Sequence, residues 1–141
     1  MLPDLRILIT DDDPVILYIH RRAIEKCGLP DITCFLNGRD TLDHITLQGP
    51  DINYLIVLDI NMPGISGWDL LDEITEKNHN NIHVIVVSSS VNTGDHEKAK
   101  TYSQIIGFIE KPLSDVKMIT LMESHSYKTA WPDNINGDGV S

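Results

Sequence analysis

The chain has 141 residues, 41% of them hydrophobic and 23% charged, which is enough for one domain around one good core. Its 21 acidic residues outnumber 11 basic ones for a net charge of −10, which argues against nucleic-acid binding and its clustered Lys and Arg, and leaves no spare chain for a separate DNA-binding domain. No apolar stretch approaches the roughly 18 residues of a membrane span, and Met1-Leu2-Pro3-Asp4 has neither region of a signal peptide, so the expected location is cytoplasmic, with no membrane partner.

Residues 5–10 read as a buried strand. Asp13-Pro14 then starts a helix, with a carboxylate cap followed by proline at the first helical position. Ile16, Ile19, Ala23 and Cys27 recur at helical spacing, and Gly28 stops the helix. A short strand is predicted over 32–36, and a helix carrying Leu42 and Ile45 runs from Asn37-Gly38 to Gly49-Pro50. The third strand is 53–59, after which Met62-Pro63-Gly64 makes a loop and Ser66 opens a helix holding Leu70, Leu71 and Ile74. The fourth strand is 82–88, and 93–103 reads as a poorly apolar helix with little beyond Ala99 and Tyr102. The fifth strand is 105–109, and a last helix covers roughly 114–124. The tail, 125–141, is polar and reads as a disordered terminus or a remnant of expression.

Five strand–helix alternations define an α/β protein. The strand runs are continuously apolar rather than alternating, so both faces of the sheet are covered. That predicts a doubly wound five-stranded parallel sheet with helices on both faces, in a single domain ending at residue 124.

Polar chemistry collects where the strands end. Asp11-Asp12-Asp13 closes the first strand, Asp59 the third, Ser88 the fourth and Glu110-Lys111-Pro112 the fifth. In a parallel sheet these ends share one edge, where such folds place their sites. Carboxylates a few ångströms apart repel unless protonated or bridged by a cation. Asp11, Asp12 and Asp59 therefore suit Mg²⁺, with Mn²⁺ as an alternative, while Asp13 reads as the helix cap. Asp59 is placed to act as a nucleophile and form an aspartyl-phosphate. Ser88 can donate to a phosphoryl oxygen and Lys111 can neutralise one. Taken singly, Ser88 is part of a Ser-Ser-Ser turn and Lys111 a surface lysine; together with Asp59 they make a phosphoryl site.

Four motifs in order carry a family resemblance: Ile7-Leu8-Ile9-Thr10-Asp11-Asp12-Asp13-Pro14, Leu58-Asp59-Ile60-Asn61-Met62-Pro63-Gly64 with Gly67 following, Val86-Val87-Ser88-Ser89, and Gly107-Phe108-Ile109-Glu110-Lys111-Pro112. Over about residues 5–122 the chain resembles the receiver domain of two-component response regulators, of the chemotaxis-type, flavodoxin-like fold with strand order 2-1-3-4-5. The resemblance implies that Asp59 accepts a phosphoryl group from a phosphohistidine on a histidine kinase or phosphotransfer protein. It implies that Asp11, Asp12 and Asp59 hold Mg²⁺ together with the backbone carbonyl of Asn61, and that Ser88 and Lys111 bind the phosphoryl oxygens. It also implies a cis peptide bond between Lys111 and Pro112, a geometry found in only about 5–6% of X–Pro bonds. Switching would draw Ser88 inward and rotate Phe108 into the space it leaves, although a Phe has no hydroxyl to hydrogen-bond in either position. Such a protein catalyses only its own phosphorylation and dephosphorylation and signals by binding a downstream protein, often through the face of the fourth helix, fifth strand and fifth helix. No output domain follows residue 124, so a stand-alone receiver is expected.

Several positions depart from the family pattern or carry a second reading. Ser66 stands where many receivers have Asp but can still cap the helix, and Ser88 replaces the commoner Thr. Asn61 and Ser90 occupy positions that influence dephosphorylation rate. Trp68 reads as a half-exposed packing residue near the site, and Met118, Leu121 and Met122 as core, with a partner surface as the alternative. Cys27 and Cys34 read as small buried apolar residues rather than a disulfide. His20, His44, His79, His83, His96 and His125 are scattered, and zinc is not expected. One rival is a haloacid-dehalogenase-type phosphatase, which wants an Asp where Asn61 stands. The other is a degenerate receiver that binds partners without phosphorylation.

Overall fold

The computed structural model describes residues 5–29, 31–49, 51–62, 64–77, 81–89 and 93–123. The expected boundary at 124, the tail, His79, Ser90 and His125 lie outside the described residues. Ten elements alternate among those described: β1 (Leu5–Thr10), α1 (Pro14–Lys26), β2 (Ile32–Phe35), α2 (Gly38–Gln48), β3 (Asn53–Asp59), α3 (Gly67–Glu76), β4 (Ile82–Ser88), α4 (Thr93–Ala99), β5 (Ile105–Glu110) and α5 (Asp115–Glu123). The strands form one five-stranded sheet in the order β2-β1-β3-β4-β5, and every pairing is parallel.

Two cores explain why the strands read as continuous apolar runs. Ile7, Ile9, Leu55, Val57, Ile85 and Val87 point to one face, where Leu17 and Ile24 of α1 and Met118 of α5 cover them. Leu8, Ile56, Leu58, Val84 and Val86 point to the other, against Leu42 and Ile45 of α2 and Leu70, Leu71 and Ile74 of α3. Successive side chains of a strand alternate faces, so both parities must be apolar here.

Local chemistry sets most boundaries. Asp13 caps α1 by accepting from the Val15 N–H at 2.9 Å, with Pro14 following. Asn37 caps α2 through the Asp40 N–H at 2.8 Å. Ser66 and Asp69 form a reciprocal capping box at the start of α3. Gly28 takes a positive φ of 80° past the end of α1.

Some boundaries and faces differ from expectation. The buried face of α1 is Leu17, His20, Ala23 and Ile24, while Ile19 is exposed and Ile16 and Cys27 are half-buried. Five apolar residues in a row, Val15 to Ile19, make the helix apolar on every side at its start, so spacing alone does not select the face. α4 ends at Ala99 rather than 103; Thr101 and Tyr102 take turn hydrogen bonds to Lys98 and Ala99 instead. β2 stops at Phe35, leaving Leu36 exposed, and β5 reaches Glu110. Cys27 and Cys34 are free thiols, half-buried rather than buried. Met118 is buried and Leu121 and Met122 pack on the same core, which favours the core reading of all three. No helix among the described residues is long and apolar enough to cross a membrane.

Candidate functional site

The carboxyl ends of β1, β3, β4 and β5 bring the polar residues together. Register places Thr10 beside Leu58, Asp59 beside Val87, and Ser88 beside Glu110. These side chains thus stand at the last residue of a strand or within two residues beyond it, a rigid mounting for a site. Thr41 donates to the Asn37 carbonyl at 3.0 Å, which leaves Thr10 to donate to Thr41 Oγ1 at 2.7 Å. That chain ties the end of β1 to the start of α2.

Asp11 is fully buried, Asp59 is 2% exposed and Asp12 is exposed. One carboxylate oxygen from each lies within 4.8 Å of the others. Such a set of hard oxygen ligands, two held by the fold and one facing solvent, fits a divalent cation. Asp11 Oδ1 accepts from the Asp13 N–H at 3.0 Å, and Asp59 Oδ1 accepts from the Asn61 N–H at 3.0 Å. Both carboxylates are therefore oriented by the backbone just after them.

Lys111 closes the site from β5. Its Nζ stands 2.7 Å from Asp11 Oδ2 and 3.2 Å from Asp59 Oδ2. The Lys111 N–H donates to the Ser88 carbonyl at 2.8 Å, and the bond from Lys111 to Pro112 is cis. Asn61 Nδ2 reaches Ser88 Oγ at 3.4 Å, linking the loop after β3 to the hydroxyl on β4. Burial pushes the Asp59 carboxyl above its ordinary range and Asp11 adds to the rise; the Asn61 N–H and Lys111 oppose it without cancelling it. Burial would lower the Lys111 ammonium, but Asp11 and Asp59 outweigh it and raise it.

Gly67 lets α3 come close to this loop. A Cβ there would stand 2.6 Å from Ile60 Cα and 2.7 Å from the Asp59 carbonyl oxygen. The Gly67 N–H donates to the Ile60 carbonyl at 3.3 Å. Phe108 is half-buried and lies ring on ring against His96 of α4. Trp68 is half-buried too, stacked 5.7 Å from Tyr102, with Lys98 Nζ 4.8 Å above the indole.

Sequence alone does not single out His20 among the scattered histidines. It is fully buried, and its Nε2 accepts from the Leu113 N–H at 3.0 Å. The signal was its place three residues after Leu17 and four before Ile24, which only the correct face of α1 reveals. His83 is half-buried at the far end of β4, and His44 packs against Phe35, so neither joins the site.

The model of the response regulator receiver domain matches residues 7–123. The DNA-binding transcriptional regulator NtrC of Escherichia coli K12 is 29% identical over 136 residues, covering 93% of this chain but 27% of its own length. Chemotaxis protein CheV1 of Helicobacter pylori is 28% identical over 107 residues, covering 74% of this chain and 33% of its own. The chain thus spans about a quarter to a third of the length of these curated relatives that it matches. A two-component response regulator from Cytophaga hutchinsonii superimposes with a TM-score of 0.76 at 25% identity, covering 84% of this chain and 94% of that one. A response regulator receiver protein from Dyadobacter fermentans gives 0.74 at 27% identity, with 84% and 95% covered. The chain belongs to the response regulator receiver domain family. Membership replaces the haloacid-dehalogenase reading, since a receiver is a signalling module rather than an enzyme with a separate substrate.

Proposed function

We propose that this chain accepts a phosphoryl group on Asp59 from a phosphohistidine of a histidine kinase or phosphotransfer protein, and signals by phosphorylation-dependent protein binding. The observation that carries this reading is the Lys111 ammonium standing between two buried carboxylates, 2.7 Å from Asp11 and 3.2 Å from Asp59. In the transfer an Asp59 carboxylate oxygen attacks phosphorus and the P–N bond breaks. The electron pair leaves with the donor imidazole, which takes up a proton. Lys111 neutralises one phosphoryl oxygen and Ser88 Oγ donates to another. Asp11, Asp12 and Asp59, whose carboxylates lie close together, would hold Mg²⁺, or Mn²⁺, and the Asn61 backbone carbonyl would complete the protein ligands. The bound cation supplies positive charge against the phosphoryl oxygens.

Release runs through the same residues: water attacks phosphorus, the P–O bond to Asp59 breaks, and the carboxylate returns. Phosphorylation draws Ser88 inward and Phe108 rotates toward the space. Because Phe108 stacks on His96, that rotation pulls on α4. The downstream partner binds the α4–β5–α5 face, where Val116 and Ile119 are exposed beside a groove of about 470 Å³. The protein works in the cytoplasm, where its phosphodonors reside.

Intact mass after incubation with acetyl phosphate tests the reading. The expected result is a single Mg²⁺-dependent phosphoryl adduct that Asp59→Asn abolishes. No adduct from acetyl phosphate or from a phosphorylated phosphotransfer protein would favour a phosphorylation-independent interaction module.

A further inference from the structure

The turn between β5 and α5 carries Lys111, and two side chains from outside it grip its backbone. His20 Nε2, on the buried face of α1, accepts from the Leu113 N–H at 3.0 Å. Lys117 Nζ, early in α5, donates to the Glu110 carbonyl at 2.9 Å and the Pro112 carbonyl at 3.0 Å. The groups so held lie on either side of Lys111. β5 is an edge strand ending at Glu110, so no further strand satisfies the Glu110 carbonyl.

We propose that His20 is a positioning residue for phosphoryl transfer: it fixes the Leu113 N–H against α1, with Lys117 clamping the neighbouring carbonyls, and so sets where the Lys111 ammonium stands relative to Asp11 and Asp59. This rests on the reading that Lys111 assists transfer to Asp59.

Histidine at position 20 exchanges one unpaired donor for another. To accept from Leu113, His20 must be neutral with its proton on Nδ1, and that Nδ1 has no hydrogen-bond partner among the described residues. A leucine at position 20 would extend the apolar stripe of Leu17 and Ile24 and leave no imidazole N–H unpaired. It would instead orphan the buried Leu113 N–H. One unpaired donor replaces another, so histidine gains little in stability over leucine. What it supplies is a fixed place for the turn. Burial, then the Lys111 and Lys117 charges, lower the imidazole to about 4, which keeps it the neutral acceptor this geometry needs.

The leverage is short. Leu113 is two residues from Lys111, and its side chain is anchored in the core with Leu17, Ile24 and Met118. Loosening the turn by about 1 Å would move the ammonium off its carboxylates, an error that costs positioned chemistry on the order of a hundredfold.

The test compares His20→Leu, which removes the acceptor, with His20→Gln, whose Oε1 can replace it. Three quantities are read on the full chain: the rate of Mg²⁺-dependent phosphorylation by acetyl phosphate, Mg²⁺ affinity by calorimetry, and exchange of the Leu113 amide by NMR. For His20→Leu the expected result is a rate reduced about tenfold or more, Mg²⁺ affinity unchanged and faster Leu113 exchange, with His20→Gln recovering most of the rate. A wild-type rate in His20→Leu, or His20→Gln no faster than His20→Leu, overturns the proposal alone. A wild-type protein that takes up no phosphoryl group overturns the phosphoacceptor reading and this proposal with it. If His20→Leu does not fold, Lys117→Met against Lys117→Arg reads the same turn: a slowed methionine variant with the arginine variant restored is expected, and equal rates overturn the clamp.

Discussion

His96 lies ring on ring with Phe108, their centroids 4.2 Å apart and their planes 25° from parallel. This contact joins α4, a short and mostly polar helix, to the aromatic of β5. Few other apolar groups hold α4, with Ala99 its one buried residue among those described. The His96→Ala variant is expected to lose about 1 kcal/mol of stability and to speed amide exchange across α4. Urea unfolding and exchange spectra check both; an α4 with unchanged exchange would show that the stack does not hold it.

Lys111 is the counter-charge for two carboxylates that burial already penalises. Lys111→Ala leaves Asp11 and Asp59 facing each other without it, at an expected cost of about 3–5 kcal/mol in metal-free protein. Mg²⁺ replaces the missing charge, so its addition should raise the melting temperature more in the variant than in wild type. Melting curves with and without Mg²⁺ decide this, and an equal rise in both proteins would contradict it.

Asp12 is exposed while its two companions are buried. Asp12→Asn should therefore leave metal-free stability within about 0.5 kcal/mol of wild type, yet weaken Mg²⁺ binding and the stabilisation that binding brings. Calorimetric titration reads the affinity. Wild-type affinity in Asp12→Asn would remove it from the ligand set.

His20 links stability to pH. Its folded pKa, about 4, lies below the ordinary imidazole value of 6.5, so the unfolded chain takes the proton first as pH falls. Its contribution is whole above about pH 6.5 and is lost toward pH 4, a total on the order of 3 kcal/mol. His83, lowered by burial, acts in the same sense. Asp59, raised by burial, acts in the opposite sense, favouring the fold as pH falls through its own range. Comparison with His20→Leu isolates the His20 share: wild type, close to the variant in stability at pH 7, should fall about 2 kcal/mol below it by pH 5. Urea unfolding at the two values measures it, and a constant difference would refute the linkage.

Two glycines face close neighbours of different kinds. In Gly67→Ala the new methyl meets backbone, Ile60 Cα at 2.6 Å and Asp59 O at 2.7 Å. In Gly107→Ala it meets the end of the Leu121 side chain, Cδ2 at 2.6 Å, which can turn away. Gly67→Ala is expected to cost about 3 kcal/mol and slow phosphorylation by displacing the Asp59 loop, and Gly107→Ala about 1 kcal/mol. Equal losses in denaturation would show that α3 yields as readily as Leu121, and the reverse order that it yields more readily.

Much of this architecture was legible in the residues. The strands announced themselves because a sheet covered on both faces needs apolar side chains at every position, as in Leu55 to Leu58. The caps at Asp13 and Ser66 were readable because each is satisfied by backbone within three residues; Asn37, legible only as a break beside Gly38, caps α2 in the same way. The buried face of α1 was not legible, because an apolar run from Val15 to Ile19 fits several faces equally well. The extent of α4 was not legible either, because its polar sequence offers no stripe to measure.

Short-range chemistry, then, settled which residues stand at the strand ends: Asp11, Asp12, Asp59, Ser88 and Lys111 each follow directly from where an apolar run stops. Folding alone decided how they meet. That Lys111 sits nearer Asp11 than Asp59 depends on the relative placement of β1, β3 and β5. That His20 holds a turn 93 residues away depends on α1 and α5 covering the same face of the sheet. Contacts between distant segments are selected by packing the whole core at once, and no window of neighbouring residues contains that information.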